Sequence, residues 1–293
     1  MKLGYLDLSG RIDHTVELAP LADARGFSRY WLTEFPPQPS PVTLVGVIAG
    51  LTEQIKVGTA AILLALYPPK RTAHDFQLLE RLFEGRIDAG SSSSTALEPI
   101  VRDDLEGRDL GALAKAYPAR FELFLRHLRN TPGSATYDAA TAWRDCPEAP
   151  PQVWSLGSGQ SAQLAARLGT AFGYPLMYKS SVDDPATMHG YQDGFTPSEA
   201  QPVPASVLAV AGYCTPTDAE AAAIAQPWSI FAPHVWGSPA TVVAKLAALR
   251  ERYRVDEIIF GDMSQDLAAR RATIEGLASE ISAGSRPASS RRS

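Results

Sequence analysis

The stretch Gly157-Ser158-Gly159-Gln160-Ser161-Ala162 has the spacing G-x-G-x-x-A. Glycines at such positions let backbone approach a charged group, and free N–H groups at a helix start favour an anion. As a dinucleotide fingerprint it is incomplete: the first acidic residues downstream, Asp183 and Asp184, come late, and the stretch lies mid-chain. The alternative is an ordinary strand-to-helix turn. Ser91–Ser94 is a second donor-rich run, whose four hydroxyls form either an uncharged phosphate cradle or simply a polar loop. Glu34, in Trp31-Leu32-Thr33-Glu34-Phe35, is either a buried base or an acceptor for backbone N–H groups. The five histidines are scattered: His74 falls on a helix and reads as structural, and His234, beside Trp236, is the one that could approach a site. Cys146 and Cys214 stand far apart, and no Cys/His spacing suggests a metal site or a disulfide framework.

These residues need elements to position them. Lys56–Ala65 is a near-continuous apolar run, as expected of a strand buried on both faces. Tyr67-Pro68-Pro69 ends it. Arg71–Phe83 then carries Ala73, Phe76, Leu79, Leu82 and Phe83 at helical spacing, Gly85 stops the helix, and Arg86–Gly90 begins a further strand. That is a parallel βαβ unit. The remaining strands are read at Lys2–Leu8, Tyr30–Phe35, Val153–Leu156, Ala171–Tyr178, Val207–Cys214 and Asp256–Phe260. Helices are read at Thr15–Gly26, Thr43–Leu51, Leu110–Arg129, Ser161–Leu168, Pro185–Phe195, Asp218–Ala225, Ser238–Tyr253 and Leu267–Ile281.

Eight strands, each followed by helix, imply a closed (β/α)8 TIM barrel, with an open doubly wound sheet as the alternative. The expectation is one barrel domain over residues 1–282 and a disordered tail over Ala283–Ser293. In such a barrel the carboxyl ends of the strands bind ligands. That rule selects Asp7, Glu34, Phe35, Ala60, Ala61, Ser91–Ser94, Gly157–Ser161, Met177, Tyr178, Tyr213, Cys214, Asp262 and Met263.

Composition narrows the function. The 293 residues are 45% hydrophobic, enough for one large core or two small ones, and carry 27 basic against 32 acidic groups for a net charge of −5. No basic patch suggests nucleic acid, and no basic amphipathic helix or long apolar run suggests a membrane. The first ten residues, MKLGYLDLSG, do not read as a signal peptide, and a cytoplasmic protein is expected.

The stretch from Val57 to Arg86 resembles the third strand, helix and fourth strand of the bacterial luciferase-like flavin monooxygenases, most closely at Val57-Gly58-Thr59-Ala60-Ala61 and from Arg71 to Arg86. VWSLGSGQSAQLAARLG resembles the family's fifth strand and following helix, and HVWGSPATVVAKLAALRERYRVDEIIF its closing segment. The resemblance is weakest over residues 95–150 and 180–235, and the latter region is shorter than in full-length members. It implies a cis Ala60–Ala61 bond against a flavin ring, with cofactor contacts from Thr59, Ala60, Ala61, Ser91, Ser92, Ser93, Gly157, Ser158, Gln160, Ser161 and Tyr178. Without the family, Thr59-Ala60-Ala61 is only a small-residue strand.

The resemblance further implies an oxidoreductase that takes reduced FMN from a separate flavin reductase and uses O2 to oxidise a small hydrophobic or aromatic substrate. It also implies a homodimer through Thr43–Leu51 and Arg71–Phe83. Two departures stand out. The histidine of the family's Glu-His-His is Phe35 here, which leaves Glu34 as the candidate catalytic residue. Its phosphate-gripping arginine is Ser93, so weak FMN binding without a cation is expected. A catalytically degraded flavin-binding protein and a deazaflavin-dependent oxidoreductase of the same superfamily are the alternatives.

Overall fold

The computed structural model describes residues 1–284 apart from 36, 37, 39, 95–97, 106 and 136. Three prolines of the loop after the second strand, Thr95, and positions 285–293 of the expected tail therefore lie outside the described residues. In chain order the elements are β1 (Lys2–Asp7), α1 (Ile12–Ala24), β2 (Arg29–Leu32), α2 (Pro41–Gly50), β3 (Lys56–Thr59), β4 (Ile62–Leu63), α3 (Pro69–Leu82) and β5 (Ile87–Ser92). Then come α4 (Glu98–Val101), α5 (Leu110–Leu128), β6 (Gln152–Leu156), α6 (Gly159–Leu168), β7 (Ala171–Pro175), α7 (Ala186–Asp193) and β8 (Ser206–Cys214). The chain closes with α8 (Asp218–Ile224), β9 (Val235–Gly237), α9 (Pro239–Tyr253), β10 (Glu257–Asp262) and α10 (Leu267–Gly284).

All pairings between these strands are parallel, in the order β10-β1-β2-β3-β5-β6-β7-β8, and β8 pairs β10 to close the ring. The expected eight-stranded barrel is therefore present, with helices between the strands. Its interior is a small apolar core around Leu6, Trp31, Trp154, Ala209 and Ile259. The thicker layer between strands and helices holds Tyr5, Tyr30, Phe76, Phe121, Phe124 and their neighbours. Alternate residues of β8 feed the two layers, Val207, Ala209 and Ala211 inward and Leu208 and Val210 outward, which is why it reads as an unbroken apolar run.

Five expectations are corrected. Lys56–Ala65 is not one strand: β3 stops at Thr59, the Ala60–Ala61 peptide is cis, and pairing to β5 resumes at Ile62 with the register slipped by one residue. The strand expected at Ala171–Tyr178 ends at Pro175, where the chain turns so that Met177 N–H reaches Ala209 O at 3.1 Å. The second strand ends at Leu32, leaving Glu34 and Phe35 in a loop. An extra strand, β9, lies beside β8, and Gly212 permits it, since a Cβ there would collide with the Val235 carbonyl. At the C-terminus α10 runs to Gly284, so Ala283 and Gly284 of the expected tail are helical.

The amino end of the barrel is closed by charge. Arg29 donates to Asp88 Oδ2 at 2.5 Å and to Glu257 Oε2 at 2.9 Å, and the indoles of Trp31 and Trp154 donate to Asp88 at 2.8 and 3.1 Å. The Arg29 guanidinium lies 4.7 Å from the Trp154 ring centroid. Burial opposes the Arg29 charge, but Asp88 and Glu257 outweigh it and hold the pKa above its ordinary value.

Candidate active site

At the carboxyl end, the turns after β2, β3, β5, β6 and β7 converge on a cavity of about 70 Å³. Ala60 and Ala61, Ser92 and Ser94, Gly157, and Met177 and Tyr178 line it, with Glu34 and Phe35 on the β2 side. Apart from Thr33 its other walls are apolar, and Glu34 is the one carboxyl among the described lining residues. Glu34 is 8% exposed and accepts from Leu63 N–H at 2.6 Å and from the Tyr67 hydroxyl. It thus faces the cavity while tying the β2 turn to the segment after Ala61. Tyr178 lines the opposite side, where burial pushes its hydroxyl up to about 12, so it stays a neutral hydrogen-bonding group at ordinary pH.

A wider groove of about 580 Å³ runs outside the barrel between α5 and α6. Ser93, Gln160 and Ser161 line it, together with Lys115 of α5 and Arg167 of α6. The two spaces adjoin through neighbouring residues: Ser92 and Ser94 face the mouth and Ser93 the groove, while Gly157 faces the mouth and Gln160 and Ser161 the groove. Gly157 has φ 154°, a conformation that suits glycine, and a Cβ there would collide with Ser161 Oγ. Ser158 is the N-cap of α6, yet its side chain makes no capping bond. Among the described residues, the side chains of Ser92, Ser93, Ser94, Gln160 and Ser161 likewise have no hydrogen-bond partner.

Many of the residues singled out from sequence meet at these two spaces, but Thr59, Ser91 and Ser158 of the expected cofactor contacts line neither, nor do Asp7, Gly159, Tyr213, Cys214, Asp262 and Met263 of the strand ends. The Thr59 hydroxyl donates to Gly90 O at 2.7 Å, and Ser91 Oγ pairs with the Tyr117 hydroxyl at 3.2 Å. Asp7 and Asp262 belong instead to a buried cluster with Tyr5, Tyr30 and Arg270 between barrel and helices. Sequence reasoning missed Lys115, Arg167, Tyr67 and Phe231. Lys115 sits 22 positions beyond Ser93, on a helix face whose direction only packing fixes. Two cations therefore border the groove beside Ser93. Arg167 is already paired with Glu122 at 2.6 Å, whereas exposed Lys115 has no ion-pair partner among the described residues. No cluster of metal-ligating side chains and no helix long and apolar enough to cross a membrane occurs among the described residues.

The donor set fits a phosphorylated flavin at its anionic end. The ring end is lined suitably by small and apolar residues, but its free space is far below the roughly 300–1,000 Å³ of usual ligand pockets.

The profile of the luciferase-like monooxygenase family matches residues 2–234, and the chain belongs to that family. The Bacillus subtilis (strain 168) protein YwcH is 31% identical over 218 residues, a match covering 72% of this chain and 64% of YwcH. An Escherichia coli (strain K12) luciferase-like monooxygenase is 30% identical over 213 residues, covering 67% of this chain and 59% of the relative. The match thus spans about three-fifths of these relatives' length. In fold the chain is similar to apo-MsnO8, with TM-score 0.82 and 24% identity over 96% of this chain and 98% of the other. It is also similar to the oxygenating constituent of 3,6-diketocamphane monooxygenase from a Pseudomonas putida plasmid, in complex with FMN (TM-score 0.70, 17% identity, 96% and 97% covered). The coenzyme F420-dependent tetrahydromethanopterin reductase of Methanopyrus kandleri shares the fold too (TM-score 0.71, 13% identity, 98% and 100% covered).

Proposed function

We propose that the protein is a two-component, flavin-dependent monooxygenase that takes reduced FMN from a separate reductase and uses O2 to oxidise a small hydrophobic or aromatic substrate. The observation that carries this reading is a pair of spaces lined by neighbouring residues: an apolar mouth beside Ala60–Ala61 and, outside the barrel, a groove lined by Ser93, Gln160, Ser161 and Lys115. Family membership and an FMN-bound structural neighbour support it. Ala60, Ala61, Ser92, Gly157 and Tyr178 would border the ring, while Ser93, Ser158, Gln160, Ser161 and Lys115 would hold the phosphate. Thr59 and Ser91 support these turns from behind through Gly90 and Tyr117. Reduced flavin, when bound, supplies the electrons that activate O2. The apolar mouth keeps water from the reacting atoms, and Glu34 accepts or returns a proton at the cavity wall.

The test supplies a generic flavin reductase, NADH and O2, and follows a panel of apolar and aromatic substrates by mass spectrometry. An oxygenated product that requires this protein supports the reading; tight flavin binding with no product on any substrate would favour a catalytically degraded flavin-binding protein. Phe35 in the mouth is the observation behind that second reading. Because an F420-dependent enzyme shares the fold, titration with F420 beside FMN decides the cofactor. We further propose a cytoplasmic homodimer joined through α2 and α3. Val47, Leu51, Leu78 and Leu82 there are 47%, 50%, 45% and 62% exposed, a large apolar surface for one region. A stable monomer by light scattering at micromolar concentration would exclude this pairing.

A further inference from the structure

A segment of the chain itself packs against two walls of the mouth cavity, Phe35 and Tyr178. Between α8 and β9, Trp228 to Ala232 form a small strap: Trp228 and Phe231 bond each other's backbone at 3.1 and 2.9 Å, with Ser229 at φ 53°. Phe231 is 1% exposed. Its ring stacks on Tyr178, centroids 5.5 Å apart and planes 19° from parallel, and meets Phe35 edge-on at 5.7 Å. Both partners are walls of the cavity. Phe231 does not itself line the free space, but it belongs to the same apolar cluster as Leu6, Trp31, Ala60 and Ala61, so a flat ring already packs against two of the walls that would receive one, and about 70 Å³ remains free.

Something must move before a tricyclic ring can enter, and the elements differ in how they are held. The walls are barrel strands and the turns tied to them. The strap is joined to the barrel by Lys179 N–H to Ile230 O and Ala232 N–H to Met177 O, each 3.0 Å, beside the stacked rings. Its outer residues, Trp228 and Ile230, are 37% and 51% exposed. Few hydrogen bonds and one buried side chain mark the segment that opens at least cost.

We propose that Phe231 is a built-in occupant of the ring site, and that the strap must swing out before a planar heterocycle binds. This rests on the reading of the mouth as a flavin-ring site. Phe231 and the ligand then compete for the same apolar walls, and apparent affinity falls by the fraction of molecules that are open. A strap open about one-tenth of the time weakens binding about tenfold.

The test uses riboflavin and FMN as probes in fluorescence titrations of the whole protein. Phe231→Ala is expected to bind both about tenfold more tightly than wild type. A second variant, Lys179→Cys with Ile230→Cys, places thiols on neighbouring chains beside the Tyr178–Phe231 bridge. Opposed Cα atoms in such pairs lie about 5.5 Å apart, within disulfide range. Oxidised, this variant should bind both flavins more than tenfold weaker than after reduction with dithiothreitol. Equal affinity of the oxidised and reduced forms, with the disulfide verified by mass spectrometry, would overturn the proposal even if Phe231→Ala failed to fold. If neither flavin binds wild type, Phe231→Ala or the reduced variant, the flavin reading itself falls and takes this inference with it.

Discussion

The two ends of this barrel treat polar groups in opposite ways. At the amino end Arg29, Asp88 and Glu257 are buried together, and each charge is met by another charge or by an indole N–H. At the carboxyl end the hydroxyls of Ser92, Ser93 and Ser94 and the start of α6 are left without side-chain partners among the described residues. The contrast follows from solvation. A charge removed from water must be paired within the protein, or its burial costs several kcal/mol. Donors at an open mouth keep water, and can exchange it for a ligand. The floor is therefore a structural device, whereas the mouth keeps side-chain donors that the fold itself does not use.

The largest expected effect is at the floor. Asp88→Ala leaves Arg29 buried with one anion fewer and two indoles without acceptors, and should cost about 3–5 kcal/mol in urea unfolding. A loss below about 1 kcal/mol would show that the floor network is not what closes the barrel.

Alkaline pH probes the helix layer and the mouth but spares the floor. Burial pushes Tyr117 and Tyr178 each up to about 12, above the unfolded value near 10. A raised pKa means the native state holds the proton more tightly. The stability these groups contribute is thus complete below about pH 10 and is lost as pH rises from about 10 to about 12, at about 1.4 kcal/mol per pH unit for each group. Tyrosinate absorbance at 295 nm should lag behind the free-tyrosine curve until unfolding releases it. A curve centred at pH 10 in the folded protein contradicts this.

Glu34→Gln probes a group of the mouth that is both a cavity wall and a structural tie, since Glu34 also holds Leu63. It should cost about 1–2 kcal/mol of stability, the scale of a charge-assisted bond made neutral, and abolish turnover on any substrate found by the panel. Full turnover would remove Glu34 as a proton carrier.

The smallest effects are at the groove. Lys115→Ala should leave stability within about 0.5 kcal/mol of wild type, weaken FMN about tenfold, which is about 1.4 kcal/mol, and leave riboflavin unchanged. Ser93→Arg should tighten FMN by a similar factor. Equal loss for FMN and riboflavin, or no gain with arginine, would move the phosphate out of this groove.

Local pattern determined much of this protein. Buried parallel strands announce themselves as apolar runs, and Gly26 and Gly85, at φ 78° and 72°, mark turns that only a residue without Cβ enters freely. Ala60, Ala61 and Gly157 could be placed at the carboxyl ends of their strands from sequence, because the ends of barrel strands are fixed by chain order. The floor was not legible: Arg29, Asp88, Trp154 and Glu257 come from four strands far apart in sequence, and no period or spacing relates them. The same holds for Lys115, brought to Ser93 by the packing of α5, and for Phe231, which only a returning strap carries onto Tyr178 and Phe35. Residue spacing along one element encodes which face is buried; which elements then meet depends on the closure of the whole barrel, a long-range property that a single stretch does not contain.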